Sequence, residues 1–117
     1  MIIELNDENY SHFIETSDKA IFIDFYSPTC GPCQTLIKQL SHLDNYFNEE
    51  ALITKVDVTS NPRLAQKYEI SSVPFCVSIS AKDKMLKDFE LGVASPDRYI
   101  RMIKKAQGKG FLARLFG

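Results

Sequence analysis

The chain has 117 residues, 44% of them hydrophobic and 25% charged, with 14 Lys+Arg against 15 Asp+Glu. At roughly 150 residues per domain this is one domain, long enough to bury about two-thirds of its unfolded surface without a metal or disulfide. The near-neutral balance argues against general nucleic-acid binding, which needs a basic footprint; five Gly and five Pro exclude collagen-like and low-complexity classes; and no apolar run approaches the roughly 20 residues of a membrane span.

The N-terminal stretch MIIELNDENY is acidic and has neither a basic n-region nor a long apolar h-region, so no secretory signal is read there and a cytoplasmic protein is expected. Charge is uneven along the chain. From Arg98 onward there are six basic residues and no acidic one, which leaves eight basic against fifteen acidic residues in 1–97.

Signals for strand and helix alternate. Ile2 to Leu5 is a short apolar run, after which Asn6 and Asp7 offer N-caps for a helix that turns Tyr10, Phe13 and Ile14 inward. The near-continuous run Ile21-Phe22-Ile23-Asp24-Phe25-Tyr26 reads as a central strand buried on both faces. After Gly31-Pro32 the period becomes helical, with Cys33, Leu36, Ile37, Leu40, Leu43 and Phe47 at three- and four-residue steps. Leu52 to Val58 is a second apolar strand, and Asn61-Pro62 opens a short helix with Asn as cap and Pro at its first position. Val73 to Ile79 and Met85 to Leu91 read as strands whose link, Ser80 to Lys84, suits an antiparallel hairpin. Ser95-Pro96 starts a last helix with Tyr99, Ile100, Met102, Ile103 and Ala106 on its apolar side. The order β-α-β-α-β-α-β-β-α implies an α/β fold with a mixed central sheet, mostly parallel and closed by an antiparallel hairpin, flanked by helices.

The strongest chemical signal is Cys30-Gly31-Pro32-Cys33, placed where the central strand gives way to a helix. Two cysteines at this spacing can close a small disulfide ring across the helix's first turn. Unpaired N–H groups and the partial positive charge of the helix N-terminus stabilise a thiolate there. Thiolate is the attacking species, and such motifs lower the first cysteine's pKa towards about 7. Cys30 is therefore the attacking thiol, and Cys33, deeper in the helix, resolves the mixed disulfide. Pro32 costs little in the first turn, where its missing N–H would be unpaired anyway. The competing use of C-x-x-C is half of a zinc site, but a tetrahedral site needs four ligands. Only Cys76, His12 and His42 remain, and none makes a second paired motif. Asp24 also stands out, because a lone carboxylate among apolar strand residues is expensive to bury.

These pieces together resemble the thioredoxin family over about residues 1–107. The matching stretches are Ile23-Asp24-Phe25-Tyr26, Cys30-Gly31-Pro32-Cys33, Lys55-Val56-Asp57-Val58 leading to Asn61-Pro62, Val73-Pro74, and Gly92. The resemblance implies a thioredoxin fold and a thiol–disulfide oxidoreductase that reduces protein disulfides. It implies that Asp24 sits behind Cys33 and moves protons to and from its sulfur, with a pKa raised by burial, and that Lys55 pairs with that Asp. It implies a cis peptide at Pro74, turning Val73 towards a substrate chain that pairs as an extra strand. Gly92 resembles the glycine that lets substrate come close, and Thr29, Gly31 and Pro32 complete the substrate surface around the thiols. No tightly bound cofactor and no metal are implied. The electron donor would be an NADPH-dependent flavoenzyme, thioredoxin reductase.

The chain departs from the family in several places. It has no Trp: Thr29 and Tyr26 stand where thioredoxins usually carry one, which bears on substrate range. Gln34 replaces a usual Lys after the motif, and Lys38 occupies the site of a helix-kinking Pro, so a straighter helix is expected. Cys76 alternates with Phe75 and Val77 on a strand and reads first as a small buried hydrophobe, with a regulatory thiol near the groove as the sharper reading. Residues 108–117 extend past the family's usual end as a Gly-hinged basic tail, with Phe111, Leu112, Leu115 and Phe116 on one helical face. Such a tail could dock weakly on an anionic membrane surface or a partner groove. Two rival functions stand beside disulfide reduction: a non-catalytic binding module that uses the groove and tail to hold a partner, and a metal or iron–sulfur site bridging two copies through C-x-x-C.

Overall fold

The computed structural model describes residues 1–108, which form β1 (Ile2–Glu4), α1 (Tyr10–Thr16), β2 (Ala20–Tyr26), α2 (Gly31–Phe47), β3 (Ala51–Asp57), α3 (Pro62–Lys67), β4 (Phe75–Ile79), β5 (Leu86–Leu91) and α4 (Pro96–Ala106). The tail expected beyond Gly108 lies outside the described residues. The strands make one mixed sheet in the order β1-β3-β2-β4-β5. β1 and β2 run parallel to β3, whereas β4 is antiparallel to β2 and to β5. The order of elements along the chain and the mixed α/β class are the expected ones, but the sheet is not mostly parallel: two of its four strand pairings are parallel and two antiparallel.

β2 lies in the middle with every residue from Ala20 to Phe25 buried, as its unbroken apolar run requires. Its alternate side chains feed two cores. Phe22 joins Leu36, Leu40, Leu43, Ile53, Tyr99, Met102 and Ile103 under α2 and α4. Ile21, Ile23 and Phe25 join Ile14, Val56, Leu64 and Val77 on the α1 and α3 side. α2 turns Cys33, Leu36, Leu40, Leu43 and Phe47 inward, and Ile37 sits at the border, only partly buried. With Lys38 in place of a helix-breaking residue, α2 runs without interruption for 17 residues.

Helix capping departs from the local reading. Asn9 occupies the N-cap of α1 without a side-chain cap, while Asn6 Oδ1 accepts from the Glu8 and Asn9 N–H groups one turn earlier. Asp7 serves α3: its carboxylate accepts from the N–H groups of Arg63 and Leu64, 3.2 and 3.0 Å away. Asn61 holds the N-cap position of α3, but its Oδ1 accepts from the Asp7 N–H and its Nδ2 donates to the Asp57 carbonyl. The two loops are thus tied into one unit, each serving the other's backbone.

Strand β4 begins at Phe75, two residues later than the apolar run suggests, because Pro74 has no N–H for the ladder. The β4–β5 hairpin closes through Ser80 N–H to Met85 O and Lys84 N–H to Ser80 O, with Lys84 in the left-handed region (φ 61°). β5 is one edge of the sheet, opposite β1, and its inward side carries Asp88 and Glu90. Arg98 of α4 donates to Asp88 at 2.8 and 3.1 Å and to Glu90 at 2.7 Å, so the first basic residue of the C-terminal run is a tie between helix and edge strand. No described helix is long and apolar enough to cross a membrane.

Candidate active site

The site is built where β2 ends and α2 begins. Cys30 is the N-cap of α2, with extended backbone (φ −87°, ψ 116°), and its Sγ accepts the Cys33 N–H at 3.2 Å. That is the bond a capping Ser or Asp side chain would make, so the helix N-terminus points a donor at the sulfur. The two cysteines are paired as a disulfide, their Cα atoms 5.2 Å apart. Cys30 is half-buried and Cys33 is fully buried. Thr29, Gly31 and Pro32 stand exposed around Cys30, and Gln34 reaches back to the Pro28 carbonyl at 3.3 Å.

A second segment closes the site. The Val73–Pro74 peptide is cis, and Cys30 Sγ lies 3.8 Å from the Val73 carbonyl oxygen. The Pro74 carbonyl accepts from Gly92 N–H at 2.8 Å, which brings the β5 end against the same surface. Gly92 has φ +83°, a conformation that favours glycine, and nothing lies within 4 Å of where a Cβ would project. Leu91 and Val93 flank it as exposed apolar side chains. Tyr99, fully buried in α4, supports the turn: its hydroxyl accepts from Ala94 N–H at 2.7 Å and donates to the Gly92 carbonyl at 3.5 Å. Sequence reasoning placed Tyr99 in the core and missed this second use.

Asp24 is fully buried in β2 and projects to the α2 side of the sheet, as Phe22 does, the side to which α2 turns its buried Cys33. Its Oδ1 accepts the Cys76 thiol at 3.9 Å, and its Oδ2 has no hydrogen-bond partner. Burial is the main cause that raises its pKa to about 7; the Lys55 charge and the Cys76 hydrogen bond act the other way, and the Glu4 charge adds to the rise. Lys55 is the register partner of Asp24, yet its ion pair goes to Glu4 at 3.6 Å, and its Nζ lies 5.4 Å from the centre of the Tyr26 ring. The Tyr26 hydroxyl donates to the same Glu4 at 3.0 Å. Glu4 was therefore missed. Its signal is the β1–β3 register that sets Glu4 beside Lys55, which only the assembled sheet supplies.

Cys76 is fully buried, and its thiol is pushed well up by burial and by the Asp24 and Glu90 charges. A protonated, enclosed thiol fits the small-hydrophobe reading and not a regulatory one. His12 and His42 are exposed on α1 and α2. Among the described residues no group of three or more His, Cys, Asp or Glu side chains is arranged to hold a metal ion.

Comparison with known proteins fits this geometry. The thioredoxin family model matches residues 1–105. A thioredoxin of Chlamydia caviae is 32% identical over 105 residues, covering 90% of this chain and 98% of that protein. One of Chlorobaculum thiosulfatiphilum is 38% identical over 71 residues, covering 61% of this chain and 66% of that relative. The crystal structure of chloroplastic thioredoxin z superposes with a TM-score of 0.82 at 21% identity, over 92% of this chain and 95% of that one, and shows the shared fold. Family membership and the close cysteine pair together support thiol–disulfide oxidoreductase chemistry. By the extent of the family match and the fold around Cys30 and Cys33, the chain belongs to the thioredoxin family.

Proposed function

We propose that this protein reduces disulfides in other proteins by dithiol–disulfide exchange. The observation that carries the reading is the arrangement of Cys30: a half-exposed sulfur capping α2, beside the Val73 carbonyl, with Cys33 enclosed behind it. In the reduced protein the Cys30 thiolate is stabilised by the N-terminus of α2. It attacks one sulfur of a substrate disulfide, forming a Cys30–substrate bond and releasing the other substrate sulfur as thiolate. Cys33 then gives up its proton and attacks Cys30 Sγ. The Cys30–Cys33 bond forms, the Cys30–substrate bond breaks, and the second substrate thiolate leaves. The substrate has gained two electrons and the protein has lost two.

Asp24 is the proton acceptor for Cys33 in this scheme. α2 turns Cys33 to the side of the sheet where Asp24 lies, and a pKa of about 7 suits a base working near neutrality. Thr29, Gly31, Pro32, Val73, Pro74 and Gly92 form the substrate surface. Val73 presents backbone for an extended segment, and open space over Gly92 admits close approach. Lys55 tunes Asp24 by its charge. Electrons return through a thioredoxin reductase, an NADPH-dependent flavoenzyme, and no resident cofactor takes part. The domain spans 1–107, residues 108–117 are a weak docking tail, and the protein works in the cytoplasm.

Equilibration with glutathione buffers tests the reading. A reversible Cys30–Cys33 couple near −270 mV, roughly that of thioredoxin, is expected, together with reduction of insulin disulfides that Cys30→Ser abolishes. Cys33→Ser is expected to accumulate the mixed disulfide with substrate. A couple near −120 mV, about that of a strong oxidant, would move the function to disulfide formation. Absence of any reversible couple would leave a non-catalytic binding module.

A further inference from the structure

Five register partners form a row across the α2 side of the sheet: Glu4 on β1, Lys55 on β3, Asp24 on β2, Cys76 on β4 and Glu90 on β5. Directly opposed side chains in a ladder stand on one face about 5 Å apart. Lys55 therefore has a carboxyl on either side. Asp24 is held within the core, whereas Glu4 is exposed at the sheet edge. The structure shows which one Lys55 takes. Lys55 Nζ is 3.6 Å from Glu4 Oε1, and among the described residues no cation stands within ion-pair distance of Asp24.

The Glu4 side is anchored. Its second oxygen accepts the Tyr26 hydroxyl at 3.0 Å, and Lys55 lies over the Tyr26 ring, so carboxylate, ammonium and ring hold one another at the edge of the sheet. Asp24 is left with one thiol contact on Oδ1 and an unpartnered, buried Oδ2. We propose that Glu4 is a positioning residue that draws Lys55 away from Asp24 and so keeps the Asp24 carboxyl free to exchange a proton with Cys33. This rests on the role given to Asp24 above. An Asp24 paired directly with Lys55 would hold its negative charge firmly and be a poorer proton acceptor, because a nearby cation lowers a carboxyl pKa by about one to three units.

The other groups on this face are Cys76 on β4, a protonated thiol; Glu90 on β5, which Arg98 occupies; the Tyr99 phenol on α4; Tyr26 on Asp24's own strand; and the buried Cys33 on the inward side of α2. None of these is a second cation. Control over Asp24 by opposite charge therefore runs through Lys55 alone among the described residues.

The test uses the oxidised full-length chain, in which Cys30 and Cys33 do not titrate and cannot mix with Asp24. The Asp24 carboxyl carbon is followed by NMR against pH in the parent, Glu4→Gln, Lys55→Met and the double variant. Glu4 is half exposed and its substitution leaves both cores intact. In Glu4→Gln the Asp24 midpoint is expected to drop by about one unit as Lys55 turns to it. In the Lys55→Met background the same substitution is expected to move it by less than half as much. An unmoved midpoint in Glu4→Gln overturns the proposal. So does an equal drop with and without Lys55, which would mean that Glu4 acts by its own charge. Resolution of the mixed disulfide in Asp24→Asn is measured separately. If it proceeds at the parent rate, the proton-acceptor role falls while the Glu4 result stands or falls on its own titration.

Discussion

Replacing Asp24 by Asn is expected to make the protein more stable at alkaline pH and to cost it that advantage in acid. The buried carboxyl has an ordinary pKa of 3.8 and a folded value of about 7. Between those pH values the folded state keeps a proton that the unfolded chain has lost, so stability falls as pH rises through the window and is constant above it. At about 1.36 kcal/mol per pH unit, the folded protein gives up roughly 4 kcal/mol between pH 4 and pH 8. Asn has the same shape and no charge at either pH, but its amide is left in a site with one weak partner, which costs about 1–3 kcal/mol at every pH. The variant should therefore be about 1–3 kcal/mol more stable than the parent at pH 8, and less stable at pH 4. The informative quantity is the swing of about 4 kcal/mol in their difference, because the constant amide cost cancels from it. Guanidinium unfolding of both oxidised proteins at pH 4, 6 and 8 measures it. A swing below about 1 kcal/mol would refute the reasoning.

Three further outcomes follow from the geometry. Arg98→Met breaks the two-carboxylate tie between α4 and β5 and leaves Asp88 and Glu90 facing each other; a loss of about 1–3 kcal/mol is expected in denaturant unfolding, shrinking in 1 M salt. Gly92→Ala meets open space but must hold φ +83°, so about 1–2 kcal/mol of stability is lost, and the KM for insulin rises more than kcat falls. In the native reduced protein an alkylating reagent labels Cys30 at once and reaches Cys76 only on unfolding, as mass spectrometry of the modified peptides would show; labelling of native Cys76 at a comparable rate would contradict its burial.

Local features were legible in the sequence where the physics that sets them is local. The β2 run, the helical period of α2 and the thiols at its N-terminus each depend on a handful of neighbouring residues. What the sequence could not show was reciprocity across distance. Asn6, Asp7 and Asn61 are all capping residue types, but which caps what depends on the α1 and α3 loops meeting: Asp7 crosses 56 residues to serve Arg63 N–H. Glu4 carries no signal at all until β1 is placed beside β3. The resemblance tied Lys55 to Asp24, and the register agrees, but the ion pair went to the exposed competitor that the sheet order puts on its other side. Arg98 likewise read as part of a basic run, whereas β5 brings two carboxylates to it.

The charges of this domain are sorted by depth in a way that separates recognition from proton handling. Around Cys30 the side chains of Thr29, Gly31, Pro32, Gln34, Val73, Pro74 and Gly92 carry no formal charge. In the proposed reaction a substrate segment would meet backbone, a small hydroxyl and apolar rims at the exposed Leu91 and Val93. Main-chain pairing and apolar contact depend little on the sequence that is bound, which suits the proposed reduction of partners that share only a disulfide. With Gln34 where a lysine is usual, stabilisation of the thiolate falls to the α2 N-terminus and the Cys33 N–H. On the α2 face of the sheet the arrangement reverses: Lys55, Asp24 and Glu90 lie in one row, partly or fully withdrawn from water, where a charge is worth more than at the surface, and the exposed Glu4 stands at its end. A substitution on the outer surface should thus change which partners bind, and one in the row should change the pH at which Cys33 completes the exchange. The two can vary independently because the residues of the row, Glu4, Lys55, Asp24, Cys76 and Glu90, are not those that surround Cys30.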